Sequence, residues 1–175
     1  MPIRILFSLF ISVLALNASD KPNVIYILAD DLGYGDLAHA GGKAATPHCD
    51  RLAREGMRFT DSHTTSSVCT PTRYGILTGR YNWRSAMKKG VLWGMSKPLI
   101  ESKRLTVAGF LRQQGYHTAV VGKWHLGSRL EWSPIHHGFD EFYGVLHSND
   151  MTPLELYSGE QVIEDPVDQT TLTQR

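Results

Sequence analysis

The 175 residues, enough for one domain, carry 42% hydrophobic and 20% charged side chains with a net charge of +1. That balance excludes a disordered chain. It also gives no overall charge for binding nucleic acid or an anionic membrane, while leaving room for a small anionic substrate held by local cations.

Met1 to Arg4 is short and basic, Ile5 to Leu16 is almost wholly apolar, and Ala15 and Ala18 are small. This is the three-part layout of a secretory signal peptide over residues 1–18, too short to span a bilayer comfortably. The mature chain, 19–175, is expected to start near Ser19 and to be secreted or periplasmic, or to reach the lysosome or the endoplasmic reticulum lumen in a eukaryote. No cysteine follows the apolar run, so a bacterial lipid anchor is not expected. The two cysteines, Cys49 and Cys69, are too few for a disulfide scaffold. Cys49 falls where a helix would take an apolar residue, so it reads as a small buried hydrophobe.

Asn23-Val-Ile-Tyr-Ile-Leu-Ala29 predicts a strand buried on both faces of a parallel sheet. It ends at Asp30-Asp31, followed by Gly33 and Gly35, where open α/β sheets bind ligands. Thr46-Pro47 opens a helix that Gly56 stops. Met57 to Ser62 reads as a second strand, followed by a polar loop. Pro71 suits a first helical turn, which puts Cys69 near the N-terminus of a helix running to Thr78 and ended by Gly79.

Tyr81 to Ser102 is irregular; Trp83 and Trp93 are expected to pack over it, with stacking on a sugar the alternative, and Lys88-Lys89 reads as a solvated pair that could instead steer an anionic substrate. Thr106 caps a helix through Gln114, with Val107, Phe110 and Leu111 at core-facing spacing. Thr118 to Val121 reads as a third buried strand that delivers Gly122-Lys123-Trp124-His125 at its end. Strand and helix alternate, which predicts an α/β fold with a mainly parallel sheet. Glu160 to Arg175 is a polar tail.

Asp30-Asp31, Cys69 to Arg73, and Lys123 with His125 all fall at strand ends or helix starts. Such a sheet brings them to one edge. Adjacent carboxylates there suit calcium or magnesium, or else form a cap or a solvated turn. A thiol at a helix start, with Arg73 one turn on, is a candidate nucleophile. His39, His48, His63 and His117 lack paired zinc spacing and read as surface or structural groups. His136-His137 reads as a structural turn, with a place on a substrate rim the alternative.

Ser67-Val-Cys-Thr-Pro-Thr-Arg-Tyr-Gly-Ile-Leu-Thr-Gly79 resembles the first sulfatase signature, with its Cys-x-Pro-x-Arg core. Gly115-Tyr-His-Thr-Ala-Val-Val-Gly-Lys-Trp-His125 resembles the second. The segment Pro22 to Asp36, the helix from Thr46, and His137-Gly-Phe-Asp-Glu-Phe-Tyr-Gly144 are similar to the family in the same order.

The resemblance implies an alkaline phosphatase-like α/β/α sandwich with a mixed, mainly parallel sheet, incomplete in this chain. It implies that a formylglycine-generating enzyme oxidises Cys69 to formylglycine during export. One hydroxyl of the hydrated aldehyde would attack sulfur and expel the alcohol; loss of the second hydroxyl's proton would release sulfate. Asp30, Asp31 and the side chain at Cys69 would hold Ca2+. Arg73 would stabilise the hydrate, Lys123 would bind sulfate, and His125 would take the proton.

The substrate implied is a sulfate ester of a carbohydrate or an aryl alcohol. The family also uses an Asp-Asn pair, another His and another Lys, which would lie beyond Arg175. The chain is therefore expected to be a fragment, inactive alone. The alternatives left are a non-catalytic remnant, a phosphatase or phosphodiesterase on the same fold, and an enzyme using the unmodified Cys69 thiol.

Overall fold

Proline and glycine set the helix limits much as expected. In the computed structural model, which describes residues 21–172, helix α1 is Pro47–Glu55, α2 is Cys69–Thr78 and α3 is Val107–Gln113. Pro47 opens α1, where its missing N–H breaks no helical bond. Gly79 ends α2 with φ 65°, a left-handed turn that glycine makes without a Cβ penalty. Thr106 caps α3, its hydroxyl accepting from the Gly109 N–H at 3.0 Å. The same hydroxyl donates to the His137 carbonyl at 2.5 Å.

The chain divides into two units, Met1–Gly56 and Met57–Arg175. In the first, the short turn Ala38–Ala40 is tied to α1 by polar bonds. The Thr46 hydroxyl accepts from the Ala38 N–H at 2.9 Å and donates to Asp50 at 3.0 Å. Asp50 also accepts from the His39 N–H at 3.1 Å.

The second unit holds a four-stranded mixed sheet in the order β1-β2-β3-β4: Ala119–Lys123, Glu141–Val145, Leu156–Ser158 and Gln161–Glu164. β1 and β2 are parallel, with Lys123 opposite Val145, while the other two ladders are antiparallel. Parallel neighbours need a long crossover. Here residues 124–140 supply it with two short 3-10 turns, Leu130–Trp132 and Pro134–His137. The core lies around Tyr74 of α2, Leu99, Ile100, Trp124, Leu126, Phe142, Leu146 and Tyr157. A smaller cluster joins Val145, Leu154, Leu156 and Val167.

Several expectations are corrected. Residues 23–29 and 57–62 form no strand, and Ile25 and Ile27 are exposed. A strand needs a neighbour for its N–H and C=O groups, and among the described residues the sheet offers these segments none. The described sheet is mixed, without a parallel majority. β1 forms as expected but is not buried on both faces: Val121 is 74% exposed. The polar tail contains β4.

α3 buries Ala108 and leaves Val107 and Phe110 about half exposed. It docks through small residues: a Cβ on Gly138 would lie 2.4 Å from the Gly109 nitrogen. Cys49 is exposed and both cysteines are free. Trp83 and Trp93 are exposed rather than packed. The signal-peptide segment, 1–18, lies outside the described residues.

Candidate active site

The extended backbone of Val68 lets α2 start at Cys69, which is half-buried on its first turn. Thr70 comes next and is completely buried. Its hydroxyl donates to the His125 carbonyl at 3.0 Å and accepts from the Leu92 N–H at 3.2 Å. One side chain thus knots the start of α2, the turn after β1, and the irregular segment. Thr70→Val keeps the shape and leaves two buried backbone groups unpaired. It should lower stability by about 1–3 kcal/mol, read as a lower urea midpoint at unchanged slope, whereas Thr70→Ser stays near wild type.

Arg73 lies one turn along α2, and its guanidinium donates to the Lys123 carbonyl. Lys123 ends β1, and its ammonium donates to the Ser148 hydroxyl at 3.2 Å. The parallel β1–β2 register explains the meeting. Both strands stop at the same edge, so the loop after Val145 passes beside Lys123.

His125 is 2% exposed and has left-handed backbone, φ 59°, which is uncommon outside glycine. Its Nε2 lies 2.9 Å from the Leu92 carbonyl. A carbonyl can only accept, so the ring is assigned as the Nε2–H form with a lone pair on Nδ1. Nδ1 is buried and has no hydrogen-bond partner among the described residues. Burial pulls the His125 pKa below the usual histidine value, and the Lys123 and Arg73 charges act in the same direction. The imidazole is therefore a neutral base at neutral pH.

Cys69, Arg73, Lys123 and His125 all lie in the second unit, where Arg73 reaches the Lys123 carbonyl and Thr70, next to Cys69, reaches the His125 carbonyl. Asp30 and Asp31 lie in the first, exposed at a turn. Asp36 closes the following loop by accepting from the Gly33 N–H at 2.6 Å. The two aspartates are hard oxygen donors and suit calcium in kind. They do not suffice in number, since calcium takes 6–8 oxygens. Among the described residues no group of three or more His, Cys, Asp or Glu side chains could hold a metal.

Thr70, Leu92 and the segment His147-Ser-Asn-Asp150 were not singled out from the sequence. Hydrogen bonding to Ser148 holds the Asp150 carboxyl below its usual range, and Lys123 and His125 act in the same direction. The signal available was a polar run directly after an apolar one, the same pattern that marks Asp30-Asp31. His117 pairs with Glu141 at 2.7 Å, and His136 with Glu160 at 2.8 Å.

The family description Sulfatase matches residues 22–174. The N-acetylgalactosamine-6-O-sulfatase of Bacteroides thetaiotaomicron is 52% identical over 110 residues, covering 62% of this chain and 21% of its own length. Arylsulfatase A of Bos taurus is 44% identical over 143 residues, 80% of this chain and 28% of its own. A solved structure from a study of glycosaminoglycan metabolism by Bacteroides thetaiotaomicron aligns with TM-score 0.76 at 40% identity, over 83% of this chain and 32% of its own. The chain spans about a quarter of the length of the curated relatives it matches. A family match through nearly all of its described residues, laid over signatures that fold onto one another, means that this chain belongs to the sulfatase family.

Proposed function

We propose that the protein is a sulfuric ester hydrolase whose nucleophile is made from Cys69. What supports this most is the knot at the start of α2, where Arg73 binds the Lys123 carbonyl and Thr70 the His125 carbonyl. In this reading Arg73 and Lys123 would supply two cations, and His125 a neutral imidazole, to the chemistry at position 69. Among its relatives are an N-acetylgalactosamine-6-O-sulfatase and an arylsulfatase. We infer a sulfate ester of a carbohydrate or an aryl alcohol as substrate, and export as the route to it. An alkaline phosphatase-like sandwich is the complete fold we infer.

Formylglycine at position 69 would supply, as its hydrate, the oxygen that attacks sulfur. Calcium held in part by Asp30 and Asp31 would offset the repulsion between that oxygen and the anionic ester. Further oxygen donors beyond the two aspartates would complete its shell, and activity would depend on them.

Arg73 and Lys123 place fixed positive charge where negative charge grows on the sulfuryl oxygens. Ser148 steadies the Lys123 ammonium. Sulfur–oxygen cleavage would hand the ester oxygen to the alcohol, which leaves with the proton lost by the attacking hydroxyl. His125 would then take the second hydroxyl's proton on Nδ1, because Nε2 is committed to Leu92, as sulfate departs and the aldehyde returns. Its depressed pKa keeps that lone pair available at neutral pH. Removing such a group lowers turnover by about 10²–10⁴-fold.

The test is the mass of the tryptic peptide Phe59–Arg73 from the exported full chain made with a formylglycine-generating enzyme. Replacing CH₂–SH by CHO makes it about 18 Da lighter than the thiol form. An intact thiol in material that hydrolyses an aryl sulfate would refute the proposal.

A further inference from the structure

The irregular segment after α2 has a strong charge bias. Between Arg80 and Ile100 it carries Arg80, Arg84, Lys88, Lys89 and Lys97 with no Asp or Glu, although the whole chain's net charge is only +1. Among the described residues none of these five cations pairs with a carboxylate. The same segment exposes large rings. Tyr81 and Trp83 are 50% and 55% exposed and stack on each other at 5.2 Å, and Trp93 is 65% exposed.

The backbone beneath these rings is pinned. Asn82 is buried and donates to the Met87 carbonyl at 3.0 Å. The Lys88 ammonium donates to the Trp83 carbonyl at 2.6 Å. Met87 and Leu92 pack against the core, so the intervening surface is held in place. The segment leaves α2 at its C-terminal end and is tied back to its N-terminal end, where Leu92 binds both Thr70 and His125. A ten-residue helix is about 15 Å long. The exposed rings and cations therefore cover a path of that order, ending at Trp93, one residue from the histidine's partner.

We propose that residues 80–97 form a binding strip for a sulfated glycan chain, apart from the residues that would act on the reacting sulfate. The proposal rests on the sulfatase reading for its choice of polyanion. Aromatic faces stack on the apolar faces of sugar rings. Unpaired cations spaced between them match sulfate groups along a chain. The strip would make a polymeric substrate, rather than a small aryl ester, the one this surface holds in addition at a distance from the sulfur.

The experiment is affinity electrophoresis of the full chain in gels containing dextran sulfate, unsulfated dextran or single-stranded DNA. It measures binding without turnover, so its failure leaves the chemistry at Cys69 standing, and an unmodified Cys69 thiol leaves the strip standing. Dextran sulfate is expected to retard the chain, less so as salt rises, and unsulfated dextran is not. Lys88→Gln with Lys89→Gln should weaken retardation about tenfold, and Trp93→Ala about fivefold. Arg51→Gln with Arg54→Gln, an equal charge loss on α1, should change it less than about twofold. Trp93 is exposed, so its truncation does not threaten the fold. Equal weakening by the α1 pair, equal retardation by single-stranded DNA, or no effect of Trp93→Ala would overturn the proposal.

Discussion

Gly144→Ala will destabilise the second unit by about 3 kcal/mol or more, with its urea midpoint falling accordingly. Gly144 sits in β2 directly opposite Gly122 of β1. A Cβ built on it would lie 1.9 Å from the Gly122 carbonyl oxygen and 2.7 Å from its carbonyl carbon. Those atoms are backbone within a sheet ladder and cannot swing aside as a flexible side chain does. The strands must part, and the ladder that carries Lys123 to its place parts with them. Gly122→Ala is the control. Gly122 has φ 108° but open space around it, so only backbone strain of about 1–3 kcal/mol is expected. If Gly144→Ala is no worse than Gly122→Ala, the close approach of β1 and β2 is wrong.

Acid will weaken the fold through His137. Its ring is 7% exposed, stacked on Trp124 at 5.7 Å, with Phe139 set edge-on to the same tryptophan. Burial pushes the His137 pKa down to about 4, and the neighbouring His136 adds to the effect. Nδ1 has no hydrogen-bond partner among the described residues, and Thr106 binds only the backbone carbonyl. The folded state therefore binds this proton less readily than the unfolded chain does.

Stability is full above the unfolded pKa of about 6.5. It falls as pH drops toward 4, and below 4 no further loss comes from this group. The total is about 3 kcal/mol, of which about 2 kcal/mol is gone by pH 5. Burial also lowers the pKa values of His125 and His147, so the wild-type slope is a sum. His137→Phe keeps a ring against Trp124 and cannot take a proton. Urea unfolding at pH 7.5 and pH 5 should show the variant losing about 2 kcal/mol less than wild type. Identical losses would remove His137 from the acid response.

The helices were legible because their limits are local chemistry. Thr106, Pro47, Gly56 and Gly79 act within a few residues of where they stand. The strands were not, because pairing is decided elsewhere in the chain. Asn23–Ala29 has the composition of a buried strand and pairs with nothing described, while Gln161–Glu164 has only Val162 and Ile163 as apolar residues, in a largely polar tail, and pairs with β3 through a short turn at Gly159.

The site divides along the same line. Cys69, Arg73, Lys123 and His125 could be singled out as candidates from side-chain type and motif. Leu92 works through its N–H and C=O, which its side chain does not reveal. Thr70 looks like an ordinary helix-start threonine until its burial is known. Ser148 follows a strand that was not recognised, so its meeting with Lys123 could not be read from the sequence.

The burial of Thr70, Pro71 and Thr72 has a temporal consequence. An enzyme that recognises Cys-x-Pro-x-Arg as a linear peptide needs those residues extended and open on several sides. Once α2 winds and Thr70 engages Leu92 and His125, that recognition surface has vanished into the interior. Any such modification must therefore happen while the nascent polypeptide is still uncollapsed. A molecule that folds ahead of its modifier would keep its cysteine unaltered for the rest of its lifetime.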